Sequence, residues 1–373
     1  MAKRDDSIQL ELLQAWSEPP KSWSLIDPVV LEQREWLPVY LSQSQETLFR
    51  PDASGRLQPW QFCGPLPPKL PKPPDFPFFR SGGRVGYLEK ADLDGYSPSQ
   101  VTCTVWDSAG GAPCTLSWKS ERRVCYARLY LLDGGDFLSY ARRLTPRGFE
   151  ENWGELARRA PDGTKKWSLD VYGTVSLIRK HGIWLLTESK DDWQDYVWVD
   201  LKNGQENMRQ RRRGHRKAFH FGVDSDDLWV VESDGKGGNP LVHLGTDGAE
   251  LARSYLPAPF THAGWCIRGV VRGDWILCSA SGTDLALVER DSLTLLAQLA
   301  DGRKYRALQV DRAGHLWVYV DGMAEVYDRQ LNRLGRRRLK GKPVGSHLDG
   351  EGNLCVVTCQ PKEALVRVYR LTE

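Results

Sequence analysis

Five short segments of this chain can be laid over one another: Gly182-Ile183-Trp184-Leu185-Leu186, Asp227-Leu228-Trp229-Val230-Val231, Asp274-Trp275-Ile276-Leu277-Cys278, His315-Leu316-Trp317-Val318-Tyr319 and Asn353-Leu354-Cys355-Val356-Val357. Their third residues or nearest equivalents, Trp184, Trp229, Trp275, Trp317 and Cys355, are spaced by 45, 46, 42 and 38 positions. A period in this range marks a small sheet-sized unit repeated along the chain. Each unit brings its own turn before the strand, as in Val310-Asp311-Arg312-Ala313-Gly314 and Leu348-Asp349-Gly350-Glu351-Gly352. Asp bonds there to the backbone and Gly accepts positive φ, which together permit a tight hairpin. A second turn recurs at Pro161-Asp162-Gly163 and Thr246-Asp247-Gly248, with an outlying copy at Pro51-Asp52-Ala53-Ser54-Gly55. Two hairpins per unit make four antiparallel strands. Helical periodicity is absent, while Trp, Val, Leu and Tyr crowd the strand positions. The expected fold is all-β: a single β-propeller of four-stranded antiparallel blades.

Extending the register backwards places earlier units around Tyr130, Val85–Leu88 and Leu37–Leu41. Seven blades is the central expectation, with six or eight as alternatives. The last unit, Val344–Glu373, is one strand short. A segment at Trp23–Val30 would supply that strand and close the ring, removing exposed sheet edges. Residues 1–30 thus read as an N-terminal extension and 31–373 as the propeller, with a proline-rich insertion at 64–78. Seven of the thirteen residues from Pro65 to Pro77 are proline. That density excludes a central strand and favours polyproline II. The stretch reads as a stiff insertion across the rim, or as a ligand for an SH3-like groove through its PxxP spacings.

The turn-plus-strand pattern Val310-Asp311-Arg312-Ala313-Gly314-His315-Leu316-Trp317-Val318 resembles the broad superfamily of NHL-, WD40- and regulator-type propellers. The likeness covers about residues 120–373. The Gly-His and Trp-Asp pairs of a WD40 unit are not in register, so the resemblance implies architecture and no particular activity.

Charged residues at 27% and aromatic residues at 10% exclude a mostly disordered chain. No apolar run approaches the roughly 20 residues of a membrane-spanning helix. Met1–Asp6 leads into no apolar h-region, so no cleaved secretory signal is expected. Eight cysteines form no CxxC pair, and Cys355 and Cys359 stand about 13 Å apart along one strand face. Buried thiols in a reducing, cytoplasmic setting follow.

Net charge is only +3, yet it is unevenly spread. Residues 201–217 carry +6 and include Arg211, Arg212, Arg213, His215, Arg216 and Lys217. Residues 329–342 carry +7 and include Arg336, Arg337, Arg338, Lys340 and Lys342, and a shorter run holds Arg303, Lys304 and Arg306. All three runs fall at the end of an outer strand or in the link to the next inner strand. Such links emerge on one side of a propeller, which implies a basic face suited to an acidic protein partner or to phosphate backbones. Neutralising about six phosphates of duplex DNA would give a log–log salt slope near −5. Solvated, aggregation-blocking edge residues would produce the same runs. In Arg336–Arg338 the middle side chain points away from the other two.

Trp184, Trp229, Trp275 and Trp317 occupy equivalent positions and read as packing between blades. Trp193, inside Asp191-Asp192-Trp193-Gln194-Asp195, is the candidate exposed contact aromatic. No GxSxG elbow, Walker loop, HExxH helix or dinucleotide glycine fingerprint appears. The seven histidines are scattered without metal-ligand spacing. The sequence therefore points to a non-catalytic scaffold, with no catalytic residue, metal or cofactor expected. The alternative is a hydrolase or lactonase with a metal in the central channel.

Overall fold

The computed structural model describes residues 9–18, 23–26, 39–42, 47–59, 78–81, 84–92, 99–107, 114–119, 124–132, 134–144, 150–172, 174–188, 193–213, 225–234, 236, 238–257, 260, 265–271, 275–280, 284–311, 313–359 and 364–372. Every regular element among them is a strand, and no helix among them is long and apolar enough to cross a membrane. The strands form eight sheets in succession. Sheet 1 spans 23–59, sheet 2 78–119, sheet 3 124–172, sheet 4 174–213, sheet 5 228–254, sheet 6 265–299 and sheet 7 306–338. Sheet 8 spans 342–372 and takes its fourth strand from Gln9–Glu18. Seven sheets have four strands, paired antiparallel; sheet 5 has three among the described residues. The chain is a β-propeller, and its eight described sheets compare with the seven blades of the central expectation.

Local chemistry sets the turns. In Pro51–Gly55, Asp52 Oδ1 accepts the N–H of Ser54 at 2.9 Å and of Arg56 at 3.1 Å. Asp349 does the same for Glu351 and Asn353, at 2.9 and 2.8 Å. The glycines that follow, Gly55 and Gly352, sit at φ of 84° and 89°, a region open to glycine at little cost. The Trp residues pack as the repeat implies. Trp184 lies in the core between sheets 4 and 5, Trp229 between 5 and 6, and Trp317 between 7 and 8. Each indole N–H is also satisfied: Trp184 by the Asp226 carbonyl at 2.7 Å, Trp229 by that of Arg290 at 2.9 Å and Trp317 by Asp311 Oδ2 at 3.1 Å. A large aromatic body in the seam with its polar tip paired is the arrangement that lets Trp be fully buried.

Two placements differ from the sequence expectation. The ring-closing strand is Gln9–Glu18, which pairs antiparallel with Ala364–Thr372 from Gln9↔Thr372 to Glu18↔Ala364. Trp23–Ile26, expected in that role, instead pairs with Val39–Ser42 as the first strand of sheet 1, and 27–30 lie outside the described residues. Both segments carry Trp among aliphatics, and pairing partners decide between them. Tyr130 lies on the first strand of sheet 3, Val124–Leu131, and the strand equivalent to Gly182–Glu188 is Phe137–Leu144. Strands of eight to ten residues in sheet 3 displace the register there. The proline-rich stretch at 65–77 lies outside the described residues.

Sheets 8 and 1 meet through their turns. The Gly350 N–H donates to the Ala53 carbonyl at 3.0 Å, and His347 Nε2 donates to the Gly55 carbonyl at 2.9 Å. His347 is 1% exposed. Burial pushes its pKa down to about 4, against the Gly55 hydrogen bond and the charges of Asp349 and Asp52, which favour protonation. An imidazole whose folded pKa lies below its unfolded value near 6.5 keeps its full contribution above that value. As pH falls from about 6.5 towards 4, the unfolded chain takes up the proton first, and about 3 kcal/mol of stability is lost. Urea midpoints at pH 7, 5.5 and 4 should therefore fall more steeply for the native chain than for His347→Gln. Parallel slopes for the two would remove His347 as the cause.

Candidate functional site

The basic runs lie where outer strands end and inner strands begin. Arg211, Arg212 and Arg213 close the outermost strand of sheet 4, Glu206–Arg213. Arg303 and Lys304 lie in the link between sheets 6 and 7, and Arg306 opens Arg306–Val310, the innermost strand of sheet 7. Arg336, Arg337 and Arg338 close the outermost strand of sheet 7, Arg333–Arg338. Lys340 is in the following link and Lys342 opens sheet 8. Three chain reversals return the end of an outermost strand to the side where its innermost strand began, so these positions share one side of the disc. His215, Arg216 and Lys217 lie outside the described residues.

Strand alternation then divides the runs. Arg212 turns into the seam between sheets 4 and 5, where both Nε and Nη2 donate to the Glu232 carboxylate and Nη2 also reaches Glu250 Oε2 at 2.5 Å. Arg253 completes a four-member network, 2.9 Å from Glu232 and 2.7 Å from Glu250. Hydrogen bonds from Arg253, with Arg212 adding to them, hold the Glu250 pKa down at about 2. Arg212 is therefore a seam residue. Arg211 and Arg213, exposed on the other face, place their guanidinium carbons 5.9 and 5.4 Å from the centre of the Trp193 ring. Trp193 is half-buried and carries cations within cation–π range. The remaining cation of that row, Arg209, is held by Glu206 at 2.7 Å and Asp195 at 3.3 Å.

Around sheet 7 the same division appears. Arg303 pairs with Asp301 at 2.7 Å and with the buried Glu325 at 3.2 Å. Its Nη2 donates to the Tyr305 hydroxyl at 2.5 Å, and Tyr327 donates to Glu325. Burial and its hydrogen bond to Asp301 push the Tyr305 hydroxyl up to about 12, so it remains a neutral donor. Arg337 is half-buried, whereas Arg336, Arg338, Lys304, Arg306, Lys340 and Lys342 are exposed. Arg306 Nη1 also donates to the Pro343 carbonyl at 2.8 Å, tying sheet 7 to sheet 8. The second and third runs therefore flank one sheet, sheet 7, and the first closes sheet 4, three sheets earlier.

Sequence reasoning missed the acids that engage these cations: Glu232, Glu250, Asp301 and Glu325. Asp301 lies only two residues before Arg303 and Glu250 three before Arg253, but the pairs Arg212–Glu232, Arg212–Glu250 and Arg303–Glu325 cross a seam or non-adjacent strands, which no local spacing reveals. Among the described residues no group of three or more His, Cys, Asp or Glu side chains is placed to hold a metal ion. His243 is buried and hydrogen-bonded to a carboxylate, with Nε2 at 3.0 Å from Asp227 Oδ2. Its Nδ1 is buried without a hydrogen-bond partner. His181 and His315 bond the turn carboxylates Asp226 and Asp311 at 2.5 and 2.9 Å.

No family model matches the chain, and no curated protein sequence matches it. Solved structures do. The chain is similar to the C-terminal WD40 domain of Sif2, with 14% identity over 96% of this chain and 98% of that one and a TM-score of 0.56. BamB from Moraxella catarrhalis matches at 13% identity over 80% and 94%, TM-score 0.42. Streptogramin B lyase matches at 10% identity over 98% of each chain, TM-score 0.42. At these identities the similarity speaks to the propeller fold alone.

Proposed function

We propose that this propeller is a non-catalytic, cytoplasmic scaffold that binds an acidic protein partner on the side where its outer strands end. The observation that carries the reading is the exposure of Lys304, Arg306, Arg336, Arg338, Lys340 and Lys342 around sheet 7, while the nearby acid Glu325 is buried and engaged by Arg303. An excess of exposed cations on one side creates a positive potential that steers and orients an acidic surface. The partner's carboxylates would reach these guanidinium and ammonium groups at the rim, where pairing sets association rate and orientation more than total affinity. Arg211 and Arg213, ordered beside Trp193, would extend the contact.

The test uses a fluorescent Asp/Glu-rich peptide, a Lys-rich control peptide and a DNA duplex. Arg336→Glu with Arg338→Glu should weaken acidic-peptide binding by about tenfold or more at low salt. The Lys-rich peptide should not bind. Tighter binding of the duplex than of the peptide, with a salt slope near −5, would move the reading to nucleic acid. Acidic-peptide affinity unchanged by the double reversal would remove sheet 7 as the site.

A further inference from the structure

Beneath the first basic run, the seam between sheets 4 and 5 contains two buried polar atoms with no hydrogen-bond partner: the Tyr196 hydroxyl and the Gln194 side-chain carbonyl. Tyr196 is 0% exposed and Gln194 8%. Both lie on Trp193–Asp200, two residues apart, and so on one face of the strand. That face meets Gln210 and Arg212 across the strand pair, in the register Tyr196↔Gln210 and Gln194↔Arg212. Sheet 5 supplies Glu232, Glu250 and Arg253 on the opposite side. Native interiors leave very few buried hydroxyl or carbonyl groups unpaired, and an ordered water is the usual partner where the site is polar.

We infer that this seam binds ordered water, held by Tyr196 Oη, Gln194 Oε1 and the Glu232 carboxylate. The chemistry of the site selects the ligand. Two guanidinium groups, Arg212 and Arg253, would repel a bound cation. Two carboxylates, Glu232 and Glu250, would repel an anion. What remains is a small neutral molecule that both donates and accepts. Tyr196 stays protonated, because burial and the nearby negative Glu232 both disfavour its anion, so its O–H can donate to the water. The water in turn donates to Gln194 Oε1 and to a Glu232 oxygen, since carbonyl and carboxylate oxygens accept. Trp184, Leu186, Trp198, Leu228, Val230, Val242 and Leu244 form the apolar core of the same seam and offer a water no side-chain partner. Water is thereby confined to the layer that contains the orphaned atoms.

The inference is independent of the partner-binding proposal, since none of its ligands belongs to the sheet 7 surface. A crystal structure of the full chain at about 1.8 Å tests it directly. The expected map has a water within about 3.2 Å of Tyr196 Oη and one within the same distance of Gln194 Oε1. Either atom found bonded directly to a protein group, or left dry, overturns the inference. Tyr196→Phe, which keeps the ring and removes the hydroxyl, gives the second readout. The water at that position should vanish from the map while Tm falls by no more than about 3 °C. Persistence of the same water in the Phe variant would show that Tyr196 does not bind it.

Discussion

Gly55→Ala is expected to lower stability by about 3 kcal/mol, and half or more of that loss should disappear when Cys355 is also replaced by Ala. Gly55 sits at φ of 84° in the turn that joins sheet 1 to sheet 8. A side chain there has a backbone cost of about 1–2 kcal/mol. The added β-carbon would also overlap the buried Cys355 Sγ and come to 3.4 Å from Asp349 Cβ. Overpacking of that kind costs about 1–3 kcal/mol where neighbours cannot move. Cys355 is the second residue of Leu354–Cys359, a strand paired on both sides, so it has little room to retreat. In a Cys355→Ala background only the backbone term remains. Urea unfolding of the four chains forms a double-mutant cycle, and an equal cost in both backgrounds would show that the sulfur is not the obstacle. The same substitution should reach His347, whose Nε2 donates to the Gly55 carbonyl. If the turn moves away, the imidazole gains water and the acid sensitivity between pH 6.5 and 4 should diminish.

The turn at Gly55 was legible in the sequence because its chemistry is local. Asp52 and Gly55 stand three residues apart, and the Asx bonds and positive φ need nothing beyond that spacing. Trp184, Trp229 and Trp317 were legible for a related reason. Each repeats in a strand flanked by aliphatics, and a buried seam is the environment that such a strand demands. Closure of the ring was not legible to the residue. Gln9–Glu18 and Trp23–Ile26 have comparable strand character, and only the pairing of the first with Ala364–Thr372 distinguishes them. That is a contact between opposite ends of the chain. The basic runs occupy a middle position. Alternation along the strand correctly separates Arg337 from Arg336 and Arg338. It equally separates Arg212 from Arg211 and Arg213, but what Arg212 meets depends on residues 20 and 38 positions away. A run of like charges in sequence thus overstates the charge that a folded surface presents.

That difference between Arg212 and its neighbours leads to the second large effect. Glu232→Ala is expected to destabilise the chain by about 3–5 kcal/mol, the usual result of removing one partner from a buried ion pair. The Glu232 side chain is 5% exposed, and Arg212, which donates to it twice, is 13% exposed. Deleting the carboxylate leaves two guanidinium groups, Arg212 and Arg253, sharing Glu250 alone, and Glu250 is itself 34% exposed. The loss comes mainly from stranding a desolvated cation, so removing the cation as well should restore much of it. Arg212→Leu with Glu232→Leu is therefore expected to be closer to the native chain than Glu232→Ala is. Arg336→Glu with Arg338→Glu should behave in the opposite way, moving Tm by no more than about 2 °C while weakening acidic-peptide binding by about tenfold or more at low salt. Denaturant unfolding of these variants separates cations that join sheets from cations that face solvent. A Glu232→Ala loss below about 1 kcal/mol would mean that the network is solvated and contributes as weakly as a surface pair.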